Sequence, residues 1–276
     1  MEKTVTPQYG FGFRGAVWLV VGMLAGTTLV SVTSAIVLLL FNINWQYTPL
    51  FTLTANALTF VGAILAFDLF VCRPTTGRKL NFNFSPTNVA TYGLILPMMF
   101  GMMLIAESIT AQIPTSGPFF GEYYDYFMRL MEQMTSEPAA LVILAVFMAP
   151  LFEEIVFRGI IMKGMINDGV RPPLAIFVAA LLFGLVHGNP WQFVGAVLLG
   201  CVLGLVYYKT KSLLLPILLH AFNNLCSVLL IFMTDKESFA EAALLPQWII
   251  FAIGVILFTV FYLIFTKRYR VQYTEQ

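Results

Sequence analysis

The chain has 276 residues, of which 59% are hydrophobic and only 11% charged, with a net charge of +1. Soluble domains carry about 25% charged residues, so lipid is the solvent for most of this chain. The near-neutral balance excludes nucleic acid as a partner, and the three cysteines, Cys72, Cys201 and Cys226, have neither disulfide nor metal spacing.

The N-terminus is polar for about fifteen residues and lacks a small-residue cleavage signal before a short apolar core, so the first span reads as an uncleaved anchor. A helix needs about 20 mostly apolar residues to cross the hydrocarbon core. Eight segments qualify in chain order: residues 16–41, 50–71, 89–112, 139–164, 172–188, 191–208, 212–233 and 246–266. The expected fold is therefore all-α and polytopic, a single transmembrane domain over residues 1–276 with no soluble lobe. The fifth and sixth segments are the shortest, joined by the tight turn His187-Gly188-Asn189-Pro190-Trp191.

The basic residues test that count. Lys3 and Arg14 precede the first span, and Arg73, Arg78 and Lys79 follow the second. Lys163 and Arg171 follow the fourth, Lys209 and Lys211 the sixth, and Lys267, Arg268 and Arg270 the last. The intervening junctions hold only Arg129 and Lys236. This alternation is the positive-inside pattern for eight spans with both termini in the cytoplasm. The two longer outer loops are acidic, with Glu122, Asp125, Glu132 and Glu137 in one and Asp235, Glu237 and Glu241 in the other, and need not span anything.

Charged side chains near the bilayer centre are costly and mark function. Asp68 reads as a pairing partner of Arg73, and Glu107 lies near the outer end of its span. The fourth span carries the main signal, Pro150-Leu151-Phe152-Glu153-Glu154-Ile155-Val156-Phe157-Arg158. Glu154 and Arg158 are four residues apart and share a helix face, so they pair. Glu153 is rotated by about 100° and is left over, the state from which a general base or metal ligand is drawn. The only two histidines, His187 and His220, also fall in apolar segments. His220 and Asn224 share one face, and Phe183 sits one turn before His187 as a packing shelf. The patterns Gly184-x-x-x-Gly188 and Gly200-x-x-x-Gly204 suit close helix approach.

These residues resemble a known family. The order Glu153-Glu154-x-x-x-Arg158, Phe183-x-x-x-His187, His220-x-x-x-Asn224 is similar to that of the CAAX protease and bacteriocin-processing (CPBP, or Abi) family of intramembrane proteases. The match covers residues 139–232, which would form the catalytic core, and is similar to the type II CAAX prenyl endopeptidase. Eukaryotic members cleave the last three residues from prenylated CAAX proteins in the endoplasmic reticulum. The resemblance implies that Glu153 and His187 activate water, His220 and Asn224 stabilise the oxyanion, and Glu154 and Arg158 support the site. It implies a metalloprotease in the usual description, with zinc on Glu153, His187 and His220, although a metal-free glutamate mechanism is also proposed for the family. Both stay open, since two histidines and a carboxylate suit zinc but no His-Glu-x-x-His pair is present. The implied partners are a peptide or prenylated protein substrate and the lipid bilayer. Short loops without a retention signal suit a multi-pass protein of a bacterial cell membrane.

Two other classes compete. One is a non-enzymatic membrane scaffold or immunity-type binding protein, which has no need of an intramembrane Glu-Glu-Arg and His set. The other is a proton-coupled transporter relaying through Glu153, His187 and His220, against which stands the absence of inverted repeats.

Overall fold

A computed structural model describes residues 7–46 and 48–269; Lys3 and Arg270 of the basic count lie outside the described residues. The described residues are helical with connecting turns and no strand, as a chain of this composition must be to satisfy its backbone in lipid. In chain order the helices are α1 (Phe13–Phe41), α2 (Pro49–Thr76), α3 (Val89–Thr110), α4 (Gly117–Thr135) and α5 (Pro138–Asn167). There follow α6 (Pro172–Leu185), α7 (Pro190–Thr210), α8 (Leu214–Thr234), α9 (Phe239–Ala243) and α10 (Gln247–Arg268).

Seven of them are long and apolar enough to cross a membrane: α1, α2, α3, α5, α7, α8 and α10. The expected fifth span, residues 172–188, is corrected to the 14-residue α6. Pro172 and Pro173 open that helix, and it gives way to turn structure from Val186 through Gly188, where φ is +68°. At 1.5 Å per residue α6 is about 21 Å long, short of the hydrocarbon core. His187 therefore lies in the turn after α6, not inside a span.

The junctions of the chain nevertheless gather on two faces. On one face Arg14 donates to the Phe70 carbonyl, Asn167 to the Tyr9 carbonyl and Asn83 to the Lys211 carbonyl. Lys209 donates to the Tyr269 carbonyl there, and Tyr269 in turn bonds Thr91. Thus both described ends lie on the face that holds the basic junctions. On the opposite face the Glu107 carboxylate accepts from Ser238 and from the amides of Phe239 and Ala240, capping α9. Glu107 is thereby a fastening of the outer turns. Asp68 also takes its plainer role: its carboxylate accepts from Arg73 at 2.6 Å and from the Leu80 amide at 2.7 Å.

The acidic stretch 113–138 holds a helix that sequence reading treated as loop. Along α4, Phe120, Tyr123, Tyr124 and Phe127 recur at helical spacing and surround Trp191 at the start of α7. Burial, and then nearby Glu237 and Glu241, push the Tyr124 hydroxyl above its ordinary range. Tyr123 donates to the Gly188 carbonyl, so α4 rests on the turn beside His187.

Small residues set the closest helix approaches. A Cβ at Gly22 would lie 2.3 Å from the Gly62 carbonyl oxygen, which binds α1 to α2. Gly184, Gly200 and Gly204 likewise let α6 and α7 meet, as their spacing suggested. Gly188 is the exception, since its Cβ would meet nothing and its role is the turn. Around this hairpin the buried core of Phe67, Phe157, Ile160, Met162, Ala179 and Phe183 fixes α5 against α2 and α6.

Candidate active site

The helix α5 is not uniform. Its ladder widens to π-turns over Ile143–Met148 and again over Ile155–Met162, leaving an α-helical segment Ala149–Glu154 between. The first widening has a cause in the sequence. Pro150 has no N–H and its ring crowds the carbonyl four residues back, and one extra residue per turn moves that carbonyl clear of the ring. The same occurs in α2, where the widened stretch Asp68–Cys72 precedes Pro74.

The two glutamates leave this segment in different directions. Glu154 and Arg158 are fully buried and pair at 2.6 Å, as their spacing predicts. Arg158 also donates to the Gly200 carbonyl of α7 at 3.0 Å and lies 4.7 Å from the centre of the Phe183 ring. Gly200 is a part of the site that sequence reading took only for packing. A Cβ there would fall 3.1 Å from the Arg158 guanidinium.

His220 on α8 completes the buried set. Its Nδ1 lies 3.0 Å from Glu154 Oε1. A carboxylate only accepts, so Nδ1 donates to Glu154, and Nε2 has no hydrogen bond among the described residues. That Nε2 faces Glu153, with 3.9 Å between it and Oε2. This distance is too long for a hydrogen bond but leaves room for one water to bond both groups. Glu153 keeps 16% side-chain exposure where Glu154 has none.

The remaining residues take separate places. Phe183 is buried, with its ring edge-on to His187 at 5.1 Å and to His220 at 5.4 Å, so it is the floor between the two imidazoles. His187 Nδ1 bonds the Phe183 carbonyl at 2.8 Å, which again leaves Nε2 free. Among the described residues, neither ring nitrogen of His187 comes within 4.0 Å of a glutamate oxygen. Asn224, one turn beyond His220, donates one amide N–H to the Ala145 carbonyl at 2.7 Å.

The zinc set implied by resemblance is Glu153, His187 and His220. Among the described residues no three His, Cys, Asp or Glu side chains form a group that could hold a metal ion. Glu153 and His220 converge, while His187 bonds the Phe183 carbonyl and meets the edge of its ring. The side chains as folded therefore do not fit a three-ligand metal, and the metalloprotease description finds no support in their arrangement.

Comparison with known families agrees with the motif reading. Residues 135–226, about a third of the chain, match a family model described as type II CAAX prenyl endopeptidase Rce1-like. That stretch runs from just before α5 to just past Asn224, and contains every candidate site residue. Neither the curated proteins nor the solved structures provide a significant match.

Proposed function

We propose that this multi-pass membrane protein, with its match to the Rce1-like family model, is an intramembrane endopeptidase of the glutamate type acting on prenylated or membrane-associated peptides. The observation that carries the reading is the contrast within one dyad. Glu154 is closed off by Arg158 and His220, while Glu153 is partly open and faces the free Nε2 of His220.

The chemistry follows from those positions. A water held between Glu153 Oε2 and His220 Nε2 has acceptors for both of its protons. As its oxygen attacks the scissile carbonyl carbon, Glu153 takes one proton and later delivers it to the leaving amine. His220 orients that water, and Glu154 fixes its tautomer and stabilises any positive charge it gains, as a buried carboxylate does for a catalytic imidazole. Arg158 holds Glu154 in place. The second N–H of the Asn224 amide is the donor available to the oxyanion, and His187 borders the same space through Phe183. This assignment makes His220 the nearer partner of Glu153, where the resemblance gave that place to His187. The basic face is placed in the cytoplasm.

The test is cleavage of farnesylated and unprenylated peptides by purified wild type, Glu153→Ala and His220→Ala. The reading predicts cleavage by wild type alone, with the farnesylated peptide preferred and with cleavage persisting in phenanthroline. Equal cleavage by all three proteins would remove these residues from the reaction. Loss of wild-type activity in phenanthroline, restored by zinc, would replace the glutamate mechanism with a metal one.

A further inference from the structure

Pro150 leaves a defined gap in the hydrogen-bond ladder of α5. Over Ile143–Met148 the ladder is in π register, and the Ala149 amide donates to the Leu144 carbonyl five residues back. In that register the N–H of residue 150 would serve the carbonyl of Ala145. Residue 150 is proline and has no N–H. The Ala145 carbonyl is thereby orphaned within an apolar span, where water does not satisfy it.

Asn224 reaches it from α8. Its Nδ2 donates to the Ala145 oxygen at 2.7 Å across 79 residues of sequence. Asn223 donates to the Asn224 Oδ1 at 2.9 Å, which fixes which end of the Asn224 amide faces Ala145. One face of α8 then fastens α5 at two points, His220 on Glu154 and Asn224 on Ala145. Glu153 lies between the fastened points.

We propose that Asn224 also has a positioning role: one N–H of its amide supplies the bond that Pro150 removes, and this bond holds the Glu153 turn in register with His220. The pairing of Pro150 with Asn224 stands on geometry alone. Its consequence for rate rests on the reading of Glu153 as the base.

The pairing makes an unusual genetic demand: restoring an N–H at position 150 should compensate for loss of Asn224. Wild type, Asn224→Ala, Pro150→Ala and the double variant are compared for melting temperature and for kcat on a farnesylated peptide. Asn224→Ala is expected to lower both, with kcat falling on the order of 10²-fold, as a misplaced catalytic group does. Pro150→Ala alone is expected to stay near wild type, and the double variant to regain the melting temperature and the part of kcat lost by displacing Glu153, keeping the deficit of one oxyanion donor. Additive losses in melting temperature would overturn the proposal. Recovered melting temperature with no gain in kcat over Asn224→Ala would also overturn it, by making the place of Glu153 independent of this bond. Should Asn224→Ala fail to fold, recovery of a monodisperse protein on adding Pro150→Ala supports the pairing, and failure to recover overturns it. An inactive wild type would overturn the reading of function, while the melting temperatures would still decide the pairing.

Discussion

Glu153 and Glu154 are neighbours in sequence and opposites in setting. The Glu154 carboxylate is sealed, bonded to Arg158 at 2.6 Å and to His220 at 3.0 Å. Among the described residues its neighbour has no partner within hydrogen-bond distance, and it keeps partial exposure. A helical step of about 100° produces this difference, because it turns one carboxylate into the α7–α8 side of the bundle and leaves the other beside it. The lesson is that two equal residues divide into scaffold and reagent by rotation alone. A sealed charge must be matched to be tolerated, whereas a reagent must be left unmatched to react.

Substitutions can break that division from either side. The largest effect is expected at Glu153, where Glu153→Gln should lower peptide cleavage by about 10²–10⁴-fold with an unchanged melting temperature. Next comes the sealed pair. Arg158→Met leaves Glu154 buried without its cation, and should cost about 3–5 kcal/mol in detergent unfolding as well as abolishing cleavage. A smaller effect is expected from Gly200→Val, whose Cβ would crowd the Arg158 guanidinium and Ala180 at about 3 Å. Overpacking of that kind costs about 1–3 kcal/mol, and unfolding curves with matched cleavage rates should show stability and rate falling together. The smallest belongs far from the site. Glu107→Gln removes the charged cap of α9 and should cost about 0.5–2 kcal/mol, seen as faster amide exchange over residues 238–243, with cleavage untouched.

Much of this was legible in the sequence because membrane physics is severe. Apolar runs near the length of a bilayer, and basic junctions on alternate sides, give the passes and the common face of the two chain ends. The Glu154–Arg158 pair follows from spacing, and the leftover Glu153 from the same spacing. Other elements were hidden for identifiable reasons. The α4 helix carries acidic residues that suppress any apolar run, and only the aromatic period of Phe120, Tyr124 and Phe127 betrays it. The short α6 reads as a span until Gly188 is recognised as a turn glycine. The bond from His220 to Glu154 joins residues 66 apart, and no local pattern encodes it. The place of Gly200 depends on its carbonyl, which every residue has, so only its missing side chain was a signal. Pro150 was the most informative residue passed over, since a proline in a span requires some donor elsewhere, and Asn224 is that donor.

The division between the two glutamates is tested most directly by measuring Glu153→Gln and Glu154→Gln side by side, each for melting temperature and for hydrolysis of one farnesylated peptide. The expected result is a Glu153→Gln protein that melts with wild type and does not cleave, beside a Glu154→Gln protein that melts well below it. A Glu153→Gln protein that cleaves at the wild-type rate, or a Glu154→Gln protein of undiminished stability, would contradict the account.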